Sequence, residues 1–263
     1  MRSHNGRWSP SRSWRQVRTA CSFLLLGVAS LLLSLVVLPL LGCYPGSRER
    51  RERRAQRAIH WSARAYLRAL RMLRILRIDC VGAERLREPG TLVVANHPTY
   101  LDVLVLMSVM PQADCVVKEQ YYENPLFGGA ARAAGYIPSG DGPRVVDACV
   151  ERLIGGRSVI MFPEGTRSPA NGLGPFQRGA AHMALRTGRN PVPVVVGCTP
   201  PTLYRGQPWW EVPERRFDLT LSVGEPLRVK DAIGEQSSFG HAARALTASM
   251  REYFEKRVVR VEA

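Results

Sequence analysis

The feature that most constrains this chain is an uncharged apolar stretch near its N-terminus. Residues 19–42 contain no Asp, Glu, Lys or Arg, and a helix needs about 20 apolar residues to cross the core of a bilayer. A cleaved signal peptide has a shorter apolar region, of about 7–15 residues. Residues 40–43 resemble a bacterial lipoprotein cleavage site, which is a minor alternative because the apolar run is overlong. Residues 19–42 are therefore predicted to be a membrane segment.

Arginines on both sides of this segment leave its topology open. The basic tail, residues 1–18, is predicted to be disordered, and a denser arginine cluster follows at residues 48–57. Basic residues favour the cytoplasmic side of a membrane. One solution is a simple span with the second cluster inside, and the other is a hairpin that bends near residues 42–46 or at Pro39. Both solutions place most of the chain on the cytoplasmic side of the cell's inner membrane.

A basic helix with one apolar face is predicted in the linker that spans residues 43–80. Helical spacing over residues 55–77 divides apolar from basic side chains. The apolar face carries Ile59, Tyr66, Leu70 and Leu73, and the basic face carries Arg57, Arg64, Arg68 and Arg71. Such a helix can lie among lipid headgroups. It can equally pack on the following domain with its arginines in water.

The charge balance requires a negatively charged partner. A net charge of +15 and a pI of about 10.3 suit nucleic acid, an anionic membrane surface or a phosphorylated substrate. The neighbouring membrane segment favours the membrane surface, and we expect no nucleic-acid partner.

The six cysteines point to neither zinc nor disulfides. They are scattered without a C-x-x-C pair or regular spacing, which is typical of a reducing compartment. We expect them to be core residues.

An α/β catalytic domain is predicted for residues 81–263, with a mixed sheet flanked by helices. Short apolar runs alternate there with helical stretches. Strands are predicted at residues 91–95, 114–117, 136–137, 158–162, 192–196 and 217–223. Helices are predicted at residues 100–110, 125–134, 143–153, 177–187 and 239–257.

The first motif with chemical potential is Asn-His-Pro-Thr-Tyr-Leu-Asp at residues 96–102. Pro98 suits the first turn of a helix, which would put His97 at a strand-to-helix corner and Asp102 about one turn further on. A carboxylate there fixes the imidazole tautomer and leaves the second nitrogen as a base. On its own, H-x-x-x-x-D is more often a cap or a structural pair.

The second motif is Phe-Pro-Glu-Gly-Thr-Arg-Ser at residues 162–168, again after a buried strand. Glu164 and Arg167 on a strand-end loop suit the binding of hydroxyl and phosphate groups, and Arg167 can grip phosphate with two donors. A tight turn with a local ion pair is the simpler interpretation of this motif alone.

Together, the two motifs resemble the glycerolipid and lysophospholipid acyltransferase family, whose best-known members are the 1-acylglycerol-3-phosphate acyltransferases. The resemblance covers roughly residues 91–197, and blocks at residues 135–138, 176–180 and 192–196 agree with it.

The resemblance implies an O-acyltransferase of phospholipid biosynthesis. His97 would be the general base with Asp102 as its partner. The substrate site would include Lys118, Glu164, Gly165, Thr166 and Arg167. The donor would be acyl-CoA or an acyl-carrier protein, and the acceptor a lipid in the membrane. Neither a cofactor nor a metal is expected.

One departure puts the acceptor in question. Members that use glycerophosphates usually carry an arginine at the end of the second block, where this chain has Ser-Gly-Asp-Gly at residues 139–142. Another lysolipid, a lipoamino acid, a glycolipid or a secondary metabolite therefore stays open as the acceptor. Two rivals also remain: a thioesterase or lipase, which the absence of a G-x-S-x-G motif disfavours, and a non-catalytic basic membrane-binding protein.

Overall fold

The protein is built around a single seven-stranded sheet. The computed structural model describes residues 12–125, 128–169, 172–208, 210–234 and 238–262. The strand order is β1-β7-β6-β2-β5-β3-β4. The strands are β1 (Leu76–Val81), β2 (Leu92–Ala95), β3 (Asp114–Lys118), β4 (Ile137–Ser139), β5 (Val159–Met161), β6 (Val192–Thr199) and β7 (Phe217–Val223).

Strand direction makes the sheet mixed. β6, β2, β5, β3 and β4 are parallel neighbours, whereas β7 is antiparallel to β6 and β1 is parallel to β7. Five strands therefore point their carboxyl ends at one edge. The predicted mixed α/β sheet flanked by helices is confirmed.

Helices cover both faces of this sheet and enclose two apolar cores. One core lies under α3, α4 and α6, and the other under α7, α8 and α10. The helices are α1 (Arg12–Leu32), α2 (Leu38–Cys43), α3 (Arg48–Met72), α4 (Asp102–Val109), α5 (Glu119–Tyr122), α6 (Gly128–Ala133), α7 (Gly142–Ile154), α8 (Gly179–Thr187), α9 (Val229–Ile233) and α10 (Phe239–Glu262).

The sheet begins earlier than the boundary predicted at residue 81. β1 pairs with β7 from Leu76 onward, so part of the predicted linker belongs to the sheet. The apolar pattern of β1 is weak in the sequence because Leu76 is the one buried residue of this edge strand. The short helices α5 and α9 were not predicted either. Of the helix predicted at residues 125–134, residues 126–127 lie outside the described part of the chain.

A long apolar helix precedes the domain. α1 and α2 are joined by a π-helical turn at Leu33–Val37, so Pro39 does not bend the chain. By length and composition, residues 13–43 could cross a membrane. Residues 12–18 of the predicted disordered tail form the start of α1, and residues 1–11 lie outside the described residues. This apolar helix is a candidate membrane anchor.

The candidate anchor packs along the domain with one face. Arg18 Nη1 donates to Leu73 O at 3.1 Å at one end, and Leu33 and Leu38 are buried in the first core toward the other. The opposite face is an exposed apolar stripe. Its members, spaced three or four residues apart, are Leu24, Val28, Leu31 and Leu35. The anchor therefore has a protein-facing side and a free apolar side.

The basic helix of the predicted linker packs on the domain. α3 runs back along the anchor after a turn at residues 44–47, and it buries Ile59, Tyr66 and Leu70. Burial raises the pKa of Tyr66 to about 12, and a hydrogen bond with Ser22 opposes that shift. The arginines of the basic face are exposed: Arg57, Arg64, Arg68 and Arg71. The structure shows this helix packed on the domain, and contact of its exposed arginines with lipid headgroups stays a prediction.

A buried ionic cluster fastens α3 to the amino-terminal edge of the sheet. Arg157 donates through Nη1 to Glu52 Oε2 and through Nη2 to Asp114 Oδ1, each at 2.5 Å. Gln56 donates to Asp114 Oδ1 at 3.0 Å, and Arg152 to Glu52 Oε2 at 3.0 Å. Burial raises the pKa of Asp114 despite Arg157. Burial also acts to raise the pKa of Glu52, but hydrogen bonds from its arginine partners lower it overall.

Gly135 is fitted against this cluster, and we expect Gly135→Ala to destabilise the protein. Its φ is +68°, and a Cβ there would lie 2.4 Å from Glu52 Cδ. Strain and clash together should cost about 1–3 kcal/mol, or several degrees of melting temperature in a thermal unfolding experiment. Gly156→Ala is the matched control, because its φ is +75° with no atom within 4 Å of a Cβ. Equal losses in the two variants would contradict this account.

The cysteines divide into two groups. Cys115, Cys149 and Cys198 are buried, and burial raises the pKa of each to about 12. Cys21 and Cys43 are exposed, as is Cys80. The prediction that the cysteines are core residues is wrong for these three, which lie on the anchor and on the edge strand β1.

Candidate active site

Adjacent strand ends bring the predicted site residues together. His97 follows β2, Glu164 follows β5 and Lys118 ends β3, and these three strands are parallel neighbours. Ligand sites in such sheets form at the carboxyl ends of parallel strands. The candidate active site therefore lies at the edge opposite the buried ionic cluster.

His97 and Asp102 form the predicted pair. His97 Nδ1 lies 3.0 Å from Asp102 Oδ2, and the side chains are 17% and 0% exposed. The imidazole also stacks on Phe162, with ring centroids 4.4 Å apart. Because the carboxylate accepts at Nδ1, Nε2 is left with a free lone pair. The imidazole is thus held as an oriented base with partial access to solvent.

A tight turn, rather than a helix, separates the two residues. α4 begins at Asp102, so the prediction that Pro98 occupies the first helical turn is wrong. The side chain of Asp102 folds back over the turn and accepts from Thr99 N–H at 2.7 Å and Thr99 Oγ1–H at 2.6 Å. These bonds satisfy the carboxylate before helical geometry starts. Thr99 is a positioning residue that the sequence did not reveal.

Asn96 fixes the end of β2. Its side-chain amide donates to Val196 O at 2.8 Å and accepts from Val196 N–H at 2.7 Å. These two hydrogen bonds take the place of backbone hydrogen bonds between β2 and β6 at the point where β2 ends. The main chain therefore leaves the sheet at a defined point one residue before His97.

Glu164 holds the main chain of His97. Its Oε1 accepts from His97 N–H at 3.2 Å and from Ser168 Oγ–H at 2.7 Å, while Oε2 accepts from Gly174 N–H at 2.7 Å. Ser168 N–H also donates to His97 O at 2.8 Å. The second motif thus clamps the first, which gives Glu164 a positioning role. Contact of its carboxylate with the acceptor stays a prediction.

We expect Glu164→Gln to lower activity by about 10–100-fold. A glutamine has one accepting oxygen, so at least one of the three donors would face an amide N–H₂ group, at a cost of about 1–3 kcal/mol. His97 would then lose part of its support. Initial rates of acyl transfer and thermal unfolding measure the effect. Glu123→Gln, at an exposed position, removes the same charge and should leave the rate unchanged; a similar loss there would contradict the positioning role.

Arg167 braces a neighbouring loop. Its Nη1 donates to Leu203 O and Tyr204 O, both at 2.7 Å, and its guanidinium carbon lies 3.5 Å from the centroid of the Tyr100 ring. Within the described residues, its other guanidinium donors make no hydrogen bond. Arg167 therefore keeps donors for a ligand, although one nitrogen is committed to the protein.

The remaining predicted binding residues line the same edge. Lys118 Nζ lies 3.3 Å from Thr166 Oγ1, and the exposed Gly165 has a φ of +65°. In the described chain, no cluster of three or more His, Cys, Asp or Glu side chains could hold a metal. The polar groups that the structure places at this edge include an oriented imidazole and nearby cations.

The negative charge that develops on a thioester carbonyl under attack needs hydrogen-bond donors, and the sequence predicts backbone N–H groups near residues 98–100 or at Gly165 as possible suppliers. Thr99 N–H is bonded to Asp102, and Gly165 N–H to Phe162 O at 3.0 Å. Tyr100 N–H makes no hydrogen bond with any described residue. Of the predicted donors, Tyr100 is the one whose N–H is left for a ligand.

The segment that carries these motifs is similar to a known protein family. Residues 77–197 match the family described as Acyltransferase. This segment, a little under half of the chain, is therefore similar to the acyltransferase family. The family segment runs from β1 into β6 and includes every predicted site residue.

Two curated relatives share this acyltransferase segment. A chloroplastic 1-acyl-sn-glycerol-3-phosphate acyltransferase of Brassica napus, BAT2, is 35% identical over 127 residues, which cover 46% of this chain and 37% of the relative. A lyso-ornithine lipid O-acyltransferase of Brucella abortus is 33% identical over 103 residues, which cover 36% of this chain and 38% of the relative. The chain thus spans less than two thirds of either relative.

A solved structure shares the whole fold. The 1-acyl-sn-glycerophosphate acyltransferase PlsC from Thermotoga maritima superposes with a TM-score of 0.73 at 18% identity, over 96% of this chain and 99% of that chain. The acyltransferase segment and the helices around it therefore share one architecture with that protein.

Proposed function

We propose that the protein is an O-acyltransferase that moves a fatty acyl group from acyl-CoA or an acyl-carrier protein to a hydroxyl of a lysophospholipid-type acceptor. The observation that carries the proposal is the His97–Asp102 pair, buried on one side and open at Nε2, at the carboxyl edge of the sheet. The similarity of residues 77–197 to the acyltransferase family supports it.

The reaction needs one base and no covalent intermediate. His97 Nε2 takes the proton of the acceptor hydroxyl as the oxygen attacks the thioester carbonyl. The tetrahedral intermediate collapses to the new ester and expels the thiolate, which receives the proton held by His97. Asp102 keeps Nδ1–H in place and stabilises the imidazolium formed in between. The free N–H of Tyr100 is a candidate donor to the oxyanion.

The default acceptor is 1-acylglycerol-3-phosphate, the substrate in the name of the Brassica napus relative. Lys118 and the uncommitted donors of Arg167 would bind its phosphate. Lys118 pairs with Ser139 across β3 and β4, so it stands beside the block that lacks the expected arginine.

An acceptor without a glycerophosphate group is the second candidate. The two arginines near the block at residues 139–142 already have partners and are not placed to bind a phosphate. Arg132 donates to Tyr122 O at 2.6 Å, and Arg144 lies 3.4 Å from Asp141 with 87% of its side chain exposed. The lyso-ornithine lipid O-acyltransferase relative supports this class of acceptor.

The packing of the anchor suggests how the enzyme meets its lipid. Because the domain contacts the anchor along its length, a perpendicular span would carry the domain into the bilayer. We therefore place the exposed apolar stripe in one leaflet, with the domain on the cytoplasmic side of the inner membrane and the exposed arginines of α3 available to anionic headgroups. This arrangement would present the active site to acceptors within that leaflet.

The test is acyl transfer by the full chain in detergent, with radiolabelled acyl-CoA and acyl-carrier protein as donors. Lysophosphatidate, other lysophospholipids and a lyso-ornithine lipid are offered as acceptors. Labelling of lysophosphatidate supports the default acceptor, and labelling of the lyso-ornithine lipid supports the second candidate. Release of free fatty acid without any labelled lipid would overturn acyl transfer in favour of a thioesterase.

A further inference from the structure

A groove with a basic rim runs between the anchor and the catalytic domain, and it adjoins the acyl-transfer site at Tyr100. It encloses about 790 Å³ of empty space, part of it open to solvent. Its walls are the first half of α1, the end of α3, the start of α4 and the segment before β7. We call it the arginine groove.

The floor of the arginine groove is apolar. Side chains of the anchor meet side chains of the domain there, and several belong to the first core or pack against it. They include Leu26, Leu70, Leu101, Leu104 and Phe217. A floor of this composition favours a hydrocarbon chain over water.

The rim is strongly positive. Five arginines line the groove against one acid, Glu211. The arginines are Arg15, Arg18, Arg74, Arg215 and Arg216. Within the described chain, the last four form no salt bridge with an acidic side chain. Arg18, Arg74, Arg215 and Arg216 together give the rim a positive charge that complements a phosphate group.

Arg18 gives a second, independent indication of a ligand. Its Nη1 is fixed on Leu73 O, yet its Nε is buried without a hydrogen-bond partner among the described residues. A buried charged donor left unpaired costs free energy. A phosphate oxygen at the rim would satisfy it.

From these features we infer that the arginine groove binds an anionic phospholipid of the surrounding membrane, with one acyl chain on the apolar floor and the phosphate among the arginines. The groove opens beside the anchor, whose exposed stripe lies where such lipids are available. The bound lipid would fasten the anchor to the domain. Neither His97 nor Asp102 lines the groove, so lipid binding there can be tested in a protein that does not catalyse.

The test is native mass spectrometry of full-length His97→Ala protein in detergent, with phosphatidylglycerol or phosphatidylcholine of matched acyl chains. We expect selective retention of phosphatidylglycerol. The variant R74Q/R215Q/R216Q should weaken that retention by on the order of 100-fold. Three exposed arginines outside both the groove and α3 give the matched control R87Q/R189Q/R244Q, which should retain the lipid.

A second variant tests the apolar floor of the groove, and a folding control shows whether a loss of lipid binding reflects misfolding. Leu104→Trp fills the groove while keeping every arginine, and it should also lose the lipid; circular dichroism confirms that each variant is folded. Equal retention of both lipids, or equal loss in the control, would overturn the inference. The inference would also be overturned if free glycerol phosphate displaced phosphatidylglycerol and still bound to the Leu104→Trp variant. In that case the rim would be a site for free anions and not for a lipid.

Discussion

Replacing His97 by alanine should lower the rate of acyl transfer by about 10³-fold or more while leaving the fold intact. In the proposed mechanism the side chain supplies the general base, and removal of such a base costs about 10²–10⁴-fold. Its partly exposed ring supports little packing beyond the Phe162 contact. Initial rates with saturating donor and the acceptor labelled by the wild type measure the effect.

Two further variants make this result specific. Asp102→Asn should lose nearly as much activity, because the amide would favour the wrong imidazole tautomer. His241→Ala removes an exposed histidine on α10 and should leave the rate unchanged. Full activity of the His97 variant would refute base catalysis by His97. If the wild type binds membranes but transfers no acyl group, the interpretation as a non-catalytic membrane-binding protein would remain.

The parts of the fold that sequence predicted are those with one dominant physical signal. β2, β5 and β6 are nearly or wholly buried, so each stands out as an apolar run. β1 is an edge strand with mostly exposed side chains, and it follows an arginine-rich helix without a break in composition. Strand order and the reversal of β7 depend on contacts between distant residues, which no local pattern encodes.

At the candidate site, the sequence indicated which residues lie close together but not how they are hydrogen-bonded. The motifs identified His97, Asp102 and Glu164 because reactive residue types follow buried strands. Their hydrogen bonds depend on how two loops meet in space, so the clamp of Glu164 on the main chain of His97 could not be predicted. Thr99 stood within the first motif, and only the turn geometry shows that it holds the carboxylate of Asp102.

Replacing Arg157 by methionine should destabilise the protein by about 3–5 kcal/mol, the largest stability effect we expect. Methionine keeps much of the volume but leaves Glu52 and Asp114 buried without their shared counter-charge, and breaking a buried ion pair on one side has this cost. The cluster joins α3 to the sheet, so the loss should also loosen the helix beside the anchor. Chemical denaturation in detergent measures the free energy of unfolding.

The pH dependence of that loss identifies its cause. In the variant, the pKa of Asp114 rises further because burial is no longer opposed by Arg157, and Glu52 loses one of the arginines that lower its pKa, so the folded state binds protons more readily. Lowering the pH from about 8 to about 5 should therefore reduce the deficit relative to the wild type. Arg152→Met is the control: this side chain is 26% exposed and shares Glu52 with Arg157, which remains in place, so the loss should be smaller and less dependent on pH. If the loss of unfolding free energy in Arg157→Met does not change with pH, the cause is lost packing and not unpaired charge.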